Sequence, residues 1–279
     1  MTTGVIRELK QKFGKNANID VATDYQEAYR NNPHIRNIFA VDMVGRFIQN
    51  YHHYINLDNA YEANPLNHYV DSYFYRAFGA HHEMNQSVEL FPDDNDMAKV
   101  DADLKEIGKK FIVVHLRNWH WTAKNISMEV WFDVFAQIFG ERTDFKVVTV
   151  GGQTDHYIEG HPLFFDARDR YNNQQLKYLC DHAACFVGVD SGPFQCAAAS
   201  KTHIIALLTH LKPERILPYR CWERGYNCTA IQTREDCAGC NDVQERPVRQ
   251  LVCSKQNTPC VNNFDATAIS QEILKQLGK

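Results

Sequence analysis

Four groups of residues bring together side chains that could run a reaction or hold an ion. The first is Asp190-Ser191-Gly192-Pro193, set between a short apolar run, Cys185 to Val189, and the small residues Ala197 to Ala199. Gly192 can take φ > 0, and Pro193 presets φ for a first helical turn while lacking an N–H that would be orphaned there. Free N–H groups at a helix start attract anions, so the turn is a candidate phosphate cradle. The same residues fit a plain capped turn with Ser191 as N-cap, and spacing alone leaves both readings open. The second group is Arg117, Lys124 and Trp119-His120-Trp121, in the loop after Phe111 to Leu116. Cations beside a helix start are what a diphosphate leaving group needs as charge builds on it. The tryptophans could stack on a base or sugar or shield a cleft. The third group is acidic. Asp58 and Glu62 follow the apolar run Tyr54 to Leu57, while Gln153, Thr154 and Asp155 follow Gly151-Gly152. An acid at the end of such a strand can accept from ribose hydroxyls, and Asp190 could do the same or orient its loop. The fourth is Cys237, Cys240, Cys253 and Cys260, with Cys221 and Cys228 just before them. A CxxC pair followed by two more cysteines at loop spacing is a four-thiolate pattern, most often occupied by tetrahedral zinc; a set of unpaired thiols is the alternative.

The elements that must hold these groups alternate. Residues 2–13 read as a helix with Val5, Ile6, Leu9 and Phe13 on one face, residues 18–23 as a strand, 25–31 as a helix and 35–41 as a strand. Tyr54 to Leu57 reads as another strand, which puts Asp58 and Glu62 at its carboxyl end, where open α/β sheets bind ligands. His68 to Gly79 reads as a helix with an aromatic stripe. The polar, acidic stretch 92–108 suits an interdomain linker leading into a surface helix. Strand and helix signals then follow at 111–116, 128–139, 146–150, 173–183 and 183–209, ending with an amphipathic helix at 266–277. The rhythm predicts an α/β fold with doubly wound parallel sheets. It divides into a domain at 1–95 and a second at 96–279 that carries the Cys-rich segment 221–260.

The chain has 279 residues, 44% of them hydrophobic and 23% charged, enough for two domains of ordinary globular composition. A net charge of −4 gives no overall pull toward nucleic acid. No apolar run approaches the roughly 18 residues of a membrane span, and no signal peptide opens the chain, so the cytoplasm is the expected location. Nine cysteines in a reducing compartment favour metal over disulfides.

The stretch FVGVDSGPFQCAAA resembles the DSGxxHxAAA signature of glycosyltransferase family 9, the heptosyltransferase-like enzymes. VVHLRN, Lys124 with Trp131, and VVTVGGQTD resemble the same family, as do Thr3, Leu9, Lys10, Ile19-Asp20, Thr23 and Asn32-Pro33-His34-Ile35 near the start. The resemblance implies a GT-B fold: two Rossmann-like parallel-sheet domains facing a central cleft. It implies that Lys124 contacts the donor phosphate, that Asp155 meets the ribose, and that Ser191, Gly192, Pro193 and Gln195 border the diphosphate near Arg117; Gln153 and Asp190 are counted with the donor-binding residues. Gln195 stands where the family has His; it can donate a hydrogen bond but cannot carry positive charge. The family's first strand and Gly-Asp turn have no counterpart after Met1. That Asp is the usual general base, so either the true start lies upstream or the base is elsewhere, with Asp58 and Glu62 the candidates.

The implied activity is an inverting glycosyl transfer from a nucleotide-diphosphate sugar to an acceptor hydroxyl, on a glycan or a hydroxymethylated DNA base. No catalytic metal is implied; some family members carry a C-terminal CxxC with two later cysteines, in some with iron, so the four cysteines imply a structural zinc or iron. The alternative is a non-catalytic sugar-nucleotide binder or assembly partner. A zinc-dependent nucleic-acid module rests on the cysteines alone, and the acidic balance disfavours it. The nucleobase, the sugar, the acceptor and the oligomeric state are not written in the sequence.

Overall fold

The computed structural model describes residues 1–63, 67–79, 85–219, 227–240, 253, 255 and 257–278. The first part of the chain forms α1 (Thr3–Phe13), β1 (Asp20–Ala22), β2 (Asn37–Phe39), a single turn α2 (Val44–Phe47) and α3 (Tyr69–Phe78), followed by α4 (Asp94–Ile107). β1 and β2 pair in parallel. Val5 of α1 packs on Val70 and Phe74 of α3 in a small core of their own.

The larger sheet is built from β3 (Phe111–Val114), β4 (Lys146–Thr149), β5 (Phe164–Asp166), β6 (Cys185–Gly188), β7 (His203–Leu208) and β8 (Cys228–Gln232). Between these strands lie α5 (Met128–Glu141), α6 (Asn173–His182), α7 (Gly192–Ala198) and α8 (Pro213–Ile216), and α9 (Ala266–Leu277) ends the chain. All pairings are parallel, in the order β5-β4-β3-β6-β7-β8. The strands are β-branched and apolar because both faces are covered. Phe111, Val113, Val148, Phe186, Ile204 and Ala206 face one layer, with α4, α6 and α7. Ile112, Val114, Val147, Val187 and Ile205 face the other, with α5 and α9. Trp131 of α5 is fully buried there, a side chain whose removal costs about 3–5 kcal/mol.

The chain steps outward from β3 to β5, then returns to lay β6 on the other side of β3 and steps outward again. The loops leaving β3 and β6 therefore diverge, and a crevice opens over their carboxyl ends. This is the classical dinucleotide-fold order, and it fixes where a ligand can sit.

Several elements differ from the sequence-based expectation. Residues 54–57 form no strand; the Asn56 side chain instead accepts from the Asp58 N–H, and Asn59 takes a left-handed φ of 55°. Such local side-chain bonding competes with a ladder. The expected helix at 25–31 shrinks to a 3₁₀ turn at Gln26–Tyr29, stopped by Asn31 at φ 59°. The acidic stretch after residue 92 is mostly α4 itself, opened by a reciprocal Asp93–Asp96 capping box and burying Val100 and Ile107. β5 and β8 are strands outside the expected set, three and five residues long.

Candidate active site

Three loops meet at the crevice, and one chain of hydrogen bonds joins them. His115, one residue past β3, is buried in the sheet. Its Nδ1 lies 3.0 Å from Ser191 Oγ, and its Nε2 lies 3.0 Å from Asp155 Oδ2. Asp155 also accepts from the Asn118 N–H at 2.7 Å through Oδ1 and from the Gly152 N–H at 2.8 Å through Oδ2. Ser191 is the N-cap of α7, accepting from the Phe194 N–H at 3.3 Å, with Pro193 in the first turn as its fixed φ allows. Two glycines make room for the imidazole. A Cβ on Gly151, whose φ is +133°, would come within 2.2 Å of Asp155 Oδ2 and 2.9 Å of the His115 ring, and one on Gly188 within 3.2 Å of His115 Cβ. With both oxygens engaged internally, Asp155 ties loops together in this structure.

The cations sit beside this chain. The single 3₁₀ turn Thr122–Lys124 brings Lys124 back into the crevice, where Nζ lies 2.5 Å from Asp190 Oδ2 and 5.5 Å from the Trp121 ring centre. Both partners of that ion pair are buried. Burial works to raise the Asp190 carboxyl; Lys124 and Arg117 outweigh it, and the net direction is down. Gln195 Nε2 approaches Asp190 Oδ1 at 3.5 Å, so residue 195 turns toward the same carboxylate. Arg117 is the exception. It sits within electrostatic reach of Asp190 and Asp155, its guanidinium pKa is pulled down by desolvation, and its buried Nε has no hydrogen-bond partner among the described residues. Gln153 is exposed and reaches the Arg168 carbonyl at 3.4 Å.

Of the two acids from the first part of the chain, Asp58 is exposed and Glu62 is half-buried, with one carboxylate oxygen, Oε2, buried without a hydrogen-bond partner among the described residues. The phenol of Tyr73 on α3 is pushed up by burial first, then by the charges of Glu62, Tyr29, Asp58 and Asp190.

Cys237, Cys240, Cys253 and Cys260 line a single cavity of about 140 Å³, and Lys124, His210, Thr122 and Thr209 form its other wall. The Cys260 thiol is pushed up to about 12 by burial and by the three other cysteines. Four soft donors crowded in this way suit a thiophilic cation, whose charge would relieve them. Their sulfurs are not closed to metal-ligand separations. Among the described residues a metal-type group does lie within 4.8 Å at Glu235, Asp236 and Cys237, and Lys255 already pairs with both of its carboxylates. The cysteine segment is knit to the lysine turn. Gly239 N–H donates to the Thr209 carbonyl at 2.9 Å, Ser127 N–H donates to the Val261 carbonyl at 3.0 Å, and Thr122 and Thr258 hydroxyls meet at 3.1 Å. His210 in the same wall is pushed down to about 3 by burial and Lys124. Cys221 lies outside the described residues.

The sequence reading placed Arg117, Lys124, Asp190, Ser191, Gly192, Pro193 and Gln195 at one site, and they do converge. It missed His115 and His210; the available signal was a polar side chain at the end of each fully apolar strand run.

The family profile of glycosyltransferase family 9 (heptosyltransferase) matches residues 42–245. The chain belongs to glycosyltransferase family 9. Solved structures agree on the GT-B fold. A family 9 glycosyltransferase from Veillonella parvula DSM 2008 aligns with a TM-score of 0.69 at 14% identity, covering 99% of this chain and 92% of its own. The ADP-heptose LPS heptosyltransferase II of E. coli gives 0.69 at 12% identity, covering 99% and 94%. TibC, an iron-containing dodecameric glycosyltransferase from enterotoxigenic E. coli H10407, gives 0.66 at 15% identity, covering 99% and 72%. No curated protein matches the sequence. Among the described residues, no helix of this family 9 chain is long and apolar enough to cross a membrane.

Proposed function

We propose that this family 9 glycosyltransferase moves a sugar from a nucleotide-diphosphate donor to an acceptor hydroxyl, with inversion at the anomeric carbon. The observation that carries the reading is Arg117, a partly desolvated guanidinium with an unpartnered buried Nε at the switch point of the sheet. Such a group is costly to bury unless an anion completes it, and a diphosphate offers several oxygens to its planar fork. Heptosyltransferase II is named for ADP-heptose, which makes that sugar nucleotide the first donor to test.

In this reading residues 96–279 hold the donor and residues 1–95 present the acceptor. The turn Ser191-Gly192-Pro193 and Gln195 border the diphosphate, and Gln153 borders the nucleoside. Glu62 takes the acceptor proton as the acceptor oxygen attacks the anomeric carbon from the face opposite the diphosphate. The carbon–oxygen bond to the diphosphate breaks, and the electron pair leaves on that oxygen. Arg117 and Lys124 take up its charge, the part a divalent ion plays elsewhere, with Lys124 shared between Asp190 and the diphosphate. Glu62 is favoured over Asp58 because its buried oxygen has no hydrogen-bond partner among the described residues. The acceptor is a glycan or a hydroxymethylated DNA base, and the reaction belongs in the cytoplasm.

Cys237, Cys240, Cys253 and Cys260 would hold a zinc or iron ion as a structural clip. TibC is described as iron-containing, and the Thr258–Thr122 hydroxyl contact at the lysine turn, with the bonds of Gly239 to Thr209 and Val261 to Ser127 beside it, supports a clip that steadies Lys124.

Release of nucleoside diphosphate from ADP-heptose and other sugar nucleotides, measured with glycan and modified-DNA acceptors, tests the reading. Glu62→Gln should lower kcat by about 10²–10⁴-fold, while Asp58→Asn stays within a few-fold. Full activity in both variants would place the base elsewhere.

A further inference from the structure

We propose that His115 is a positioning residue for the donor: a neutral imidazole, protonated on Nε2, that fixes the Ser191 hydroxyl and the loops after β3 and β4 in the geometry that receives a nucleoside diphosphate. The inference rests on the donor-site reading above and adds a residue to it. The proton assignment follows from the partners. Asp155 Oδ2 is an acceptor, so the ring nitrogen facing it at 3.0 Å carries the hydrogen. A neutral ring then has a bare Nδ1, and the Ser191 hydroxyl 3.0 Å away donates to it. Ser191 Oγ in turn accepts from the Phe194 N–H. Every proton in the chain Asp155–His115–Ser191–Phe194 therefore has one place, provided the ring stays neutral. Desolvation at this buried position holds its pKa below the ordinary value, opposed by Asp155.

The consequence is mechanical. Asp155 holds the Asn118 and Gly152 amides, one in the loop that carries Arg117 and one in the Gly-Gly turn. Ser191 adjoins Asp190, the partner of Lys124. One imidazole thus sets the spacing between the arginine loop and the lysine's counter-ion. The Ser191 hydroxyl proton is turned inward, so the serine shapes the crevice and does not itself donate to a ligand. A hydrolase-type triad is a poor description, since Ser191 meets Nδ1, its oxygen is already capping α7, and its backbone is extended at φ −164°.

Isothermal titration with ADP, GDP, UDP and CDP, continued with whichever binds most tightly, tests this on the wild type, His115→Phe, Ser191→Ala and the double variant. His115→Phe keeps an aromatic ring at the position and removes both hydrogen bonds. Each single variant should weaken binding by about 5–10-fold with unchanged stoichiometry, and the double variant should be no weaker than the worse single, because both act through one bond. A role confined to folding would lower the stoichiometry and leave Kd unchanged; that result, or effects that multiply, overturns the inference while the donor site survives. If the wild type binds none of the four, the donor-site reading falls and this inference with it. Nitrogen-15 NMR of histidine-labelled wild type supplies a readout that needs no variant to fold. The Nε2–H tautomer at pH 7 supports the assignment, and an Nδ1–H or doubly protonated ring overturns it.

Discussion

His115 and Arg117 lie two positions apart and have opposite relations to their surroundings: the imidazole has a partner for each nitrogen, and the guanidinium Nε has none among the described residues. That difference in hydrogen-bond satisfaction is why the proposals above give the imidazole a positioning role and the guanidinium an anion to bind. His115 also couples stability to pH. Its folded pKa lies below that of an unfolded histidine, about 6.5. Between those two values the unfolded chain binds one more proton, so the contribution is fully present above about pH 6.5 and is lost as pH falls. The slope is at most about 1.4 kcal/mol per pH unit. Chemical denaturation at pH 7 and pH 5 should show a larger loss of stability on acidification in the wild type than in His115→Phe; equal losses would mean that folding does not hold the imidazole pKa below that of an unfolded histidine. Arg117, Lys124 and the DSG turn were legible from residue type and position after a strand. His115 was hidden, because one histidine in an apolar run looks like any satisfied core residue until the neighbouring strands are known.

At the level of elements, the α/β alternation from residue 111 onward was readable because buried parallel strands are short apolar runs between helices of 3.6 period. The earlier part was harder. Tyr54 to Leu57 has strand-like composition, and Asn56 wins the Asp58 amide for a local turn. The terminal helix was readable within its bounds, Ala266–Leu277, from its amphipathic period. Ile269, Ile273 and Leu277 complete the layer that α5 forms on the larger sheet. Two glycines give predictions of opposite sign. Gly151→Ala must adopt a φ of +133° and place a methyl 2.2 Å from a carboxylate fixed by two backbone amides and an imidazole. It should lose about 3 kcal/mol or more. Gly140→Ala, within α5 and with open space around the new methyl, should gain about 0.5–1 kcal/mol. Denaturant midpoints would check both, and equal effects would refute the account of the Gly151 turn.

For the whole molecule, strand order is the feature composition cannot supply, since it depends on which runs pair across long stretches of chain. The order β5-β4-β3-β6-β7-β8 decides that the loops after β3 and β6 face one crevice. The four cysteines were visible by spacing. Their common cavity with Lys124 was not, because it requires the segments around Gly239 and Val261 to dock on the lysine turn. Elemental analysis of the purified protein should find about one zinc or iron per chain, reduced in Cys237→Ser and Cys260→Ser; folded protein without metal would remove the clip.

The central claim is that an anion completes Arg117 in the crevice between β3 and β6. The direct measurement is the Kd of the tightest-binding nucleoside diphosphate for the wild type and for Arg117→Met, which keeps an unbranched chain and removes the charge. The account predicts binding at least tenfold weaker in the variant, a loss of about 1.4 kcal/mol, with the melting temperature unchanged or higher. Equal affinities in the two proteins would contradict it.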